Sequence, residues 1–239
     1  MRFVQMGLFI NQSFIYLKKR YPSVNFNEKD IVNIIIAGTA GQGVITLKRL
    51  IEFAAQKAGI RRCFGTEHHG LAQREGAIVS HTRYQKELNK DERKNIQSPL
   101  ISYGYADLYI CIEPVEALRH GLFASSKTTF TINTHSIPGV MITAGLEEYP
   151  TLKTIKEKLT QYTDQIFFLD ATKLSLSTFN SNKYANIIML GFAVATRKIP
   201  FIQIQNYEEV IKERLREPEN NLKALHLGLE NGRKIIGDY

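Results

Sequence analysis

The chain has 239 residues, of which 44% are hydrophobic, and a formal net charge of +8, so it is long enough for one large α/β domain or two small ones. Its two cysteines, Cys63 and Cys111, argue against a disulfide framework, fit a reducing compartment such as the cytoplasm, and are too few for an iron–sulfur cluster. The basic residues are scattered without the pattern of a nucleic-acid-binding module, so a solvated, lysine-rich surface is expected and nucleic acid is not.

Residues 1–30 are predicted to form an N-terminal extension. The segment from Phe3 to Leu17 is fairly apolar, but polar residues interrupt it and no small-residue cleavage site follows. It is also too short and too polar to span a bilayer. We therefore expect neither a signal peptide nor a membrane segment, while an amphipathic surface helix and packing on a partner both stay open.

Residues 31–239 are predicted to form one domain in which strands alternate with helices. Val32–Ala37 is a mostly β-branched run typical of a strand buried on both faces, and Val44–Ala58 has apolar residues at helical spacing. Further strands are predicted at Arg62–Gly65, Ala77–Tyr84, Leu108–Ile112, Thr128–Asn133 and Ile166–Asp170, and further helices at Pro114–His120, Leu152–Tyr162, Asn186–Ala195, Glu208–Arg216 and Leu222–Ile236. This order predicts a single doubly wound, Rossmann-like α/β fold with a mostly parallel sheet and helices on both faces.

A glycine-rich turn follows the first predicted strand. It consists of Gly38, Thr39, Ala40, Gly41, Gln42 and Gly43. Backbone N–H groups at such a strand-to-helix turn suit a phosphate or carboxylate. Ala40 occupies the second glycine position of the G-x-G-x-x-G fingerprint, and no acidic residue ends the next strand, which weakens the case for a dinucleotide. From these residues alone, a tight turn without a ligand stays open as an alternative, although the Gln42 amide favours a binding role.

A second polar segment, Glu67–Gly76, follows the predicted strand Arg62–Gly65. Within ten residues it contains two acids, two histidines, a glutamine, an arginine and two glycines. Core segments are not built this way, because so many polar groups need partners or water. Since ligands bind beyond the carboxyl ends of strands in open α/β sheets, we expect this segment and the glycine-rich turn to form one site.

Taken together, these two segments and Ser80–Arg83 resemble the gamma domain of the 2-oxoacid:ferredoxin oxidoreductases. The likeness is strongest to small subunits of enzymes that act on aryl pyruvates such as indolepyruvate, and it extends over about residues 31–236. Later matching segments are Ser98–Ile101, Ala106–Leu108, Glu113–Ala117, Ile132–Thr134, Asp170–Thr172, Asn186–Gly191 and Asn221–Ala224. Two residues depart from the family pattern, since Ala40 and Glu75 each replace a glycine.

The resemblance implies a non-autonomous subunit of an enzyme that makes acyl-CoA, carbon dioxide and reduced ferredoxin from an aryl pyruvate, coenzyme A and oxidised ferredoxin. Thiamine diphosphate, magnesium and the iron–sulfur clusters are then expected on a large alpha subunit, and the isolated chain is expected to be inactive. Ferredoxin is then expected to be a partner of the assembled complex, and of this chain only through that complex. A homodimer of this chain stays open.

The same resemblance assigns coenzyme A binding to the glycine-rich turn, residues Gly38, Thr39, Ala40, Gly41, Gln42 and Gly43. It assigns closure of the active site to Glu67, His69, Gln73 and Arg74. Glu67 could pair with His69, or with Arg74 merely to hold the shape of the segment. No metal ligand and no catalytic residue is assigned to this chain. A stand-alone NAD(P)-binding reductase and a ligand-free assembly scaffold are the two alternatives.

Overall fold

Six strands form one sheet in the part of the chain that the computed structural model describes, which comprises residues 31–69, 76–138, 143–146 and 148–237. Their order across the sheet is β2-β3-β1-β4-β5-β6. The strands are β1 (Ile31–Thr39), β2 (Arg62–His69), β3 (Ala77–Gln85), β4 (Leu108–Cys111), β5 (Thr129–Asn133) and β6 (Ile166–Leu169). The predicted N-terminal extension, residues 1–30, lies outside the described residues and stays a prediction.

The described helices cover both faces of this sheet. They are α1 (Val44–Lys57), α2 (Pro114–Arg119), α3 (Leu152–Leu159), α4 (Ala171–Phe179), α5 (Ala185–Ala195), α6 (Ile204–Arg214) and α7 (Pro218–Ile236). On one face α1 and α4 to α7 share a core with the even-numbered side chains of β1, such as Ile34 and Ile36. On the other face α2 and α3 pack against Ile35 and its neighbours. The predicted α/β class, with helices on both faces, is thus confirmed.

The sheet is mostly parallel but not entirely so. Strands β1, β4, β5 and β6 are parallel, whereas β3 is antiparallel to both β1 and β2. Because β3 separates β1 from β2, those two strands run in the same direction, and their carboxyl ends reach the same edge. From β1 the chain continues on one side of the sheet, and from β3 it crosses to β4 on the other. The gap between β1 and β4 is therefore a topological switch point, where ligands bind in this class of sheet.

The end of one predicted strand needs correction, and one helix was missed. Strand β2 does not end at Gly65 but continues to His69, because Glu67, His68 and His69 pair with β3. Helix α4 was not predicted at all. It forms because the Asp170 carboxylate accepts a hydrogen bond from the Lys173 N–H at 2.8 Å, which caps its first turn.

Candidate functional site at the carboxyl edge of the sheet

The glycine turn, residues Gly38–Gly43, connects β1 to α1 at the switch point. The Thr39 N–H donates to Oε1 of Gln42 at 2.7 Å, and the Gln42 N–H donates to the Thr39 carbonyl at 3.1 Å. Gly41 and Gly43 have φ angles of 86° and 82°, in the left-handed region that favours glycine. The Gln42 side chain thus closes the turn from inside, a role in addition to the ligand contact predicted for it.

The hydrogen bonds of the turn decide which N–H groups can reach a ligand. The N–H groups of Thr39 and Gln42 bond within the turn, and that of Ala40 donates to the Gly76 carbonyl at 2.7 Å. The N–H groups of Gly41 and Gly43 have no acceptor among the described residues. A Cβ added at Gly41 would meet no described atom within 4 Å, so the space beside it is open. Any anion held by this backbone would therefore bind at Gly41 and Gly43.

The start of α1 strengthens the preference for an anion. Its N-cap, Gly43, has no side chain to satisfy the first N–H groups of the helix, and the first turn contains no acidic residue. The N-terminal end of a helix carries a partial positive charge from its aligned peptide dipoles. In this helix no carboxylate of the first turn compensates that charge.

The second polar segment meets the glycine turn, as the sequence predicts. Besides the bond from Ala40 to Gly76, a Cβ placed on Gly76 would lie 3.1 Å from the Cβ of Ala40. Gly76 has a φ of 61°, so glycine suits it for two reasons. Gln73, Arg74 and Glu75 lie outside the described residues, and of His69 only the strand position is described. Their predicted roles stay predictions.

Glu67 has a partner that the sequence did not reveal. Its Oε1 lies 3.0 Å from Nζ of Lys48 in α1, and Oε1 of Glu52 lies 3.7 Å from the same nitrogen. Lys48 is only 8% exposed. This cluster of Lys48, Glu52 and Glu67, the acid–lysine cluster, joins α1 to β2 at the first residue of the second polar segment. The described partner of Glu67 is thus Lys48, where the sequence predicted His69 or Arg74.

Two features of the sequence indicate this cluster, but only weakly. Lys48 and Glu52 are four residues apart, which places them on one face of a helix. Gly65 on β2 leaves room for them, since a Cβ there would overlap the Glu52 carboxylate. A glycine inside a strand often marks such a close approach. Only the tertiary structure shows that the two features meet.

Burial raises the pKa of one carboxyl in the acid–lysine cluster and of the neighbouring Cys63 thiol. It raises the pKa of Glu52, and the Lys48 charge counteracts that rise only in part. Burial together with the charge of Glu52 raises the pKa of the Cys63 thiol to about 12. Cys111 is fully buried, and burial raises its pKa as well. Both thiols are protonated at neutral pH, which makes them poor nucleophiles.

Replacing Lys48 by methionine should destabilise the fold by roughly 1–2 kcal/mol, because Glu52 and Glu67 would face each other half-buried without a cation. The loss should shrink as the pH falls through the raised pKa of Glu52, because the protonated Glu52 carboxyl no longer repels Glu67. Urea unfolding followed by circular dichroism at pH 7.5 and pH 5 measures both effects. Lys57→Met is the matched control in the same helix, since Lys57 pairs with Glu209 and Glu213 at the surface. An equal loss in the two variants would contradict the prediction.

On the other side of the switch point, Glu113 follows β4 and forms a hydrogen bond within the chain. Glu113 is fully buried, and its carboxylate accepts a hydrogen bond from the Tyr149 hydroxyl at 2.6 Å. Burial raises the pKa of Glu113 to about 7, although the bond from Tyr149 counteracts the shift. A carboxyl that is partly protonated at neutral pH adds less negative charge to this edge than an ordinary glutamate. The edge therefore stays compatible with an anionic ligand near the glycine turn.

No group of three His, Cys, Asp or Glu side chains is arranged to hold a metal ion within the described ranges. None of the helices described here is long and apolar enough to cross a membrane.

Comparison with known proteins matches residues 33–231 to the family described as pyruvate ferredoxin/flavodoxin oxidoreductase. The chain is 33% identical over 199 residues to the indolepyruvate oxidoreductase subunit IorB of Archaeoglobus fulgidus, covering 82% of this chain and 93% of that protein. It is 30% identical over 209 residues to the IorB subunit of Pyrococcus horikoshii, covering 85% and 97%. Both relatives are matched over nearly their whole length, so the likeness is not confined to one motif.

Two solved structures share the fold at low sequence identity. The gamma subunit of a keto/oxoacid ferredoxin oxidoreductase from Geobacter sulfurreducens has a TM-score of 0.60 at 17% identity, covering 85% of this chain and 99% of that one. The 2-oxoglutarate:ferredoxin oxidoreductase of Magnetococcus marinus, with 2-oxoglutarate, coenzyme A and succinyl-CoA bound, has a TM-score of 0.62 at 16% identity, covering 87% of this chain and 32% of that one. These structures confirm the fold, and together with the sequence match they show that the chain belongs to the pyruvate ferredoxin/flavodoxin oxidoreductase family.

Proposed function

We propose that this chain is the small subunit of a cytoplasmic oxidoreductase that converts an aryl 2-oxoacid such as indolepyruvate, together with coenzyme A, into an acyl-CoA and carbon dioxide while reducing ferredoxin. The observation that carries this proposal is the match to two IorB subunits at 30–33% identity over more than four fifths of the chain. The mixed sheet with its glycine turn at the switch point supports it.

The chain's own contribution is to bind coenzyme A. The N–H groups of Gly41 and Gly43 have no acceptor among the described residues, the space beside Gly41 is open, and the helix that follows has no acidic residue in its first turn. A pyrophosphate oxygen fits such a backbone site, because it accepts hydrogen bonds and carries the complementary charge. Thr39 and Gln42 shape the turn, and Gly38 lets the Gln42 side chain fold over it, since a Cβ there would lie 2.8 Å from Oε1 of Gln42. Ala40 holds the second segment in place through Gly76.

The second segment faces the large alpha subunit in this proposal and helps to close its active site. The acid–lysine cluster fixes Glu67 near the end of β2. His69, Gln73 and Arg74, which follow in the sequence, are proposed to contribute to this closure. Thiamine diphosphate with magnesium, and the iron–sulfur clusters, belong to the large subunit and supply decarboxylation and electron transfer. The two cysteines of this chain are protonated at neutral pH and one of them, Cys111, is fully buried, which is in keeping with that division of labour.

Reconstitution with the large subunit tests the proposal directly. The pure chain should show no turnover, whereas the mixture should reduce ferredoxin only when both a 2-oxoacid and coenzyme A are present. Calorimetric titration of the full chain should detect coenzyme A and not NADP⁺. Tight binding of NADP⁺, or turnover by the pure chain, would favour a stand-alone reductase. A complex that assembles and works while neither ligand binds this chain would favour a pure scaffold.

A further inference from the structure

A side chain from the far half of the sequence packs onto the glycine turn. Asn186, in the first turn of α5, lies against Gly43, where a Cβ would overlap the amide nitrogen of Asn186. The amide is therefore in van der Waals contact with the backbone of Gly43, whose N–H is one of the two in the turn that lack an acceptor among the described residues. Gly43 is required here for space as well as for its φ of 82°.

The orientation of this amide is set by its oxygen. Oδ1 of Asn186 accepts a hydrogen bond from the Ile187 N–H at 2.9 Å. Nδ2 is thereby left facing Gly43, and it donates to no acceptor within the described part of the chain. The residue is half-buried, so restricted water and a fixed direction favour a partner with a hydrogen-bond acceptor.

The charges around Asn186 indicate what kind of acceptor fits. Neither α1 nor α5 has an acidic residue in its first turn. Lys183, three residues before Asn186 in the sequence, already has an anionic partner, since its Nζ donates to Oε1 of Glu217 at 2.7 Å. The three donors near Gly43, namely the N–H groups of Gly41 and Gly43 and Nδ2 of Asn186, together suit one oxygen anion.

We propose that Asn186 is a further binding residue of the site, whose Nδ2 donates a hydrogen bond to a phosphate oxygen of the coenzyme A held by Gly41 and Gly43. The inference rests on the proposed function and adds a side-chain donor to a site otherwise built from backbone. The competing explanation is that Asn186 only spaces α5 from the turn.

An isosteric substitution separates these explanations. In Asn186→Asp the carboxylate can still accept the Ile187 N–H, and an acid in the first turn of a helix is favourable, so the thermal midpoint should not fall. The same change removes the donor and places a negative charge beside the phosphate. Coenzyme A should then bind at least about tenfold more weakly, because one charge-assisted hydrogen bond is lost. A purely structural asparagine would leave the affinity unchanged.

The measurement is calorimetric titration of the full chain with coenzyme A, together with the KM for coenzyme A after reconstitution with the large subunit. The KM should rise while kcat at saturation is retained. Asn182→Asp is the matched control, because Asn182 is exposed just before α5 and its substitution adds the same charge away from the turn. Asn186→Ala, which removes the donor without adding charge, should show a smaller loss of the same kind.

The results distinguish failure of the inference about Asn186 from failure of the proposed function. If wild-type chain binds coenzyme A and both Asn186 variants bind it equally well, the inference is overturned and the proposed function stands. An equal loss in Asn182→Asp would also overturn it, since a general charge effect would then suffice. If wild-type chain binds no coenzyme A, alone or in the complex, the proposed coenzyme A site itself fails.

Discussion

Replacing Gly43 by alanine should weaken coenzyme A binding roughly a hundredfold, the largest functional effect that we expect from a single methyl group in this chain. The new Cβ would overlap the Asn186 amide, and alanine is strained at a φ of 82°. To relieve both problems the turn must rotate, which moves the Gly43 N–H and Nδ2 of Asn186 away from the anion together. Losing two hydrogen bonds to a charged group corresponds to about this factor in affinity.

Gly59→Ala is the matched control for Gly43→Ala. Gly59 follows the other end of α1 and has a φ of 71°, so alanine is comparably strained there, but its Cβ would meet no described atom within 4 Å. Both variants should lose similar stability from backbone strain, whereas only Gly43→Ala should lose coenzyme A affinity. Isothermal titration and chemical unfolding of the two proteins measure these effects separately. Equal affinities in both variants would exclude the turn as the coenzyme A site.

The sequence predicts the frame of this site well, because local patterns determine it. The apolar run of β1, the helical spacing of α1 and the glycines between them are all visible in consecutive residues, and the structure confirms the two elements. The alternation of strands and helices then places both polar segments at one edge. Their contact through Ala40 and Gly76 follows from that topology.

What the sequence did not predict depends on pairing between distant residues. Residues 67–69 are polar, and only their ladder with β3 makes them a strand. Lys48 resembles an ordinary surface lysine until β2 brings Glu67 to within 3.0 Å of it. Asn186 was visible only as part of a family motif, since nothing in its neighbours indicates that it reaches Gly43. Sequence analysis therefore does not predict where a strand or helix ends, or which side chains from different elements meet.

Replacing Gly228 by valine should abolish most of the chain's stability, with a loss of roughly 4 kcal/mol or more, because it separates two helices that touch through their backbones. A Cβ on Gly228 of α7 would overlap the carbonyl of Ile188 in α5, and a Cβ on Gly191 of α5 would overlap the carbonyl of Leu225 in α7. Backbone atoms cannot change rotamer to relieve such an overlap, so the helices must move apart and lose the packing around them.

Glu230→Val tests whether the effect of Gly228→Val comes from the crossing or from helix propensity. Glu230 is exposed in the same helix, so valine there should lose only a few tenths of a kcal/mol in propensity. The Gly191→Val and Gly228→Val double variant should be less unstable than the sum of the single variants, because once the helices have separated the second side chain meets a gap. Urea unfolding monitored by circular dichroism gives all four free energies. Strict additivity would show that the two glycines act independently and that α5 and α7 do not share one close contact.

The crossing of α5 and α7 is also connected to the glycine turn, because α5 carries Asn186. Mild substitutions at this crossing that keep the fold should therefore still raise the KM for coenzyme A.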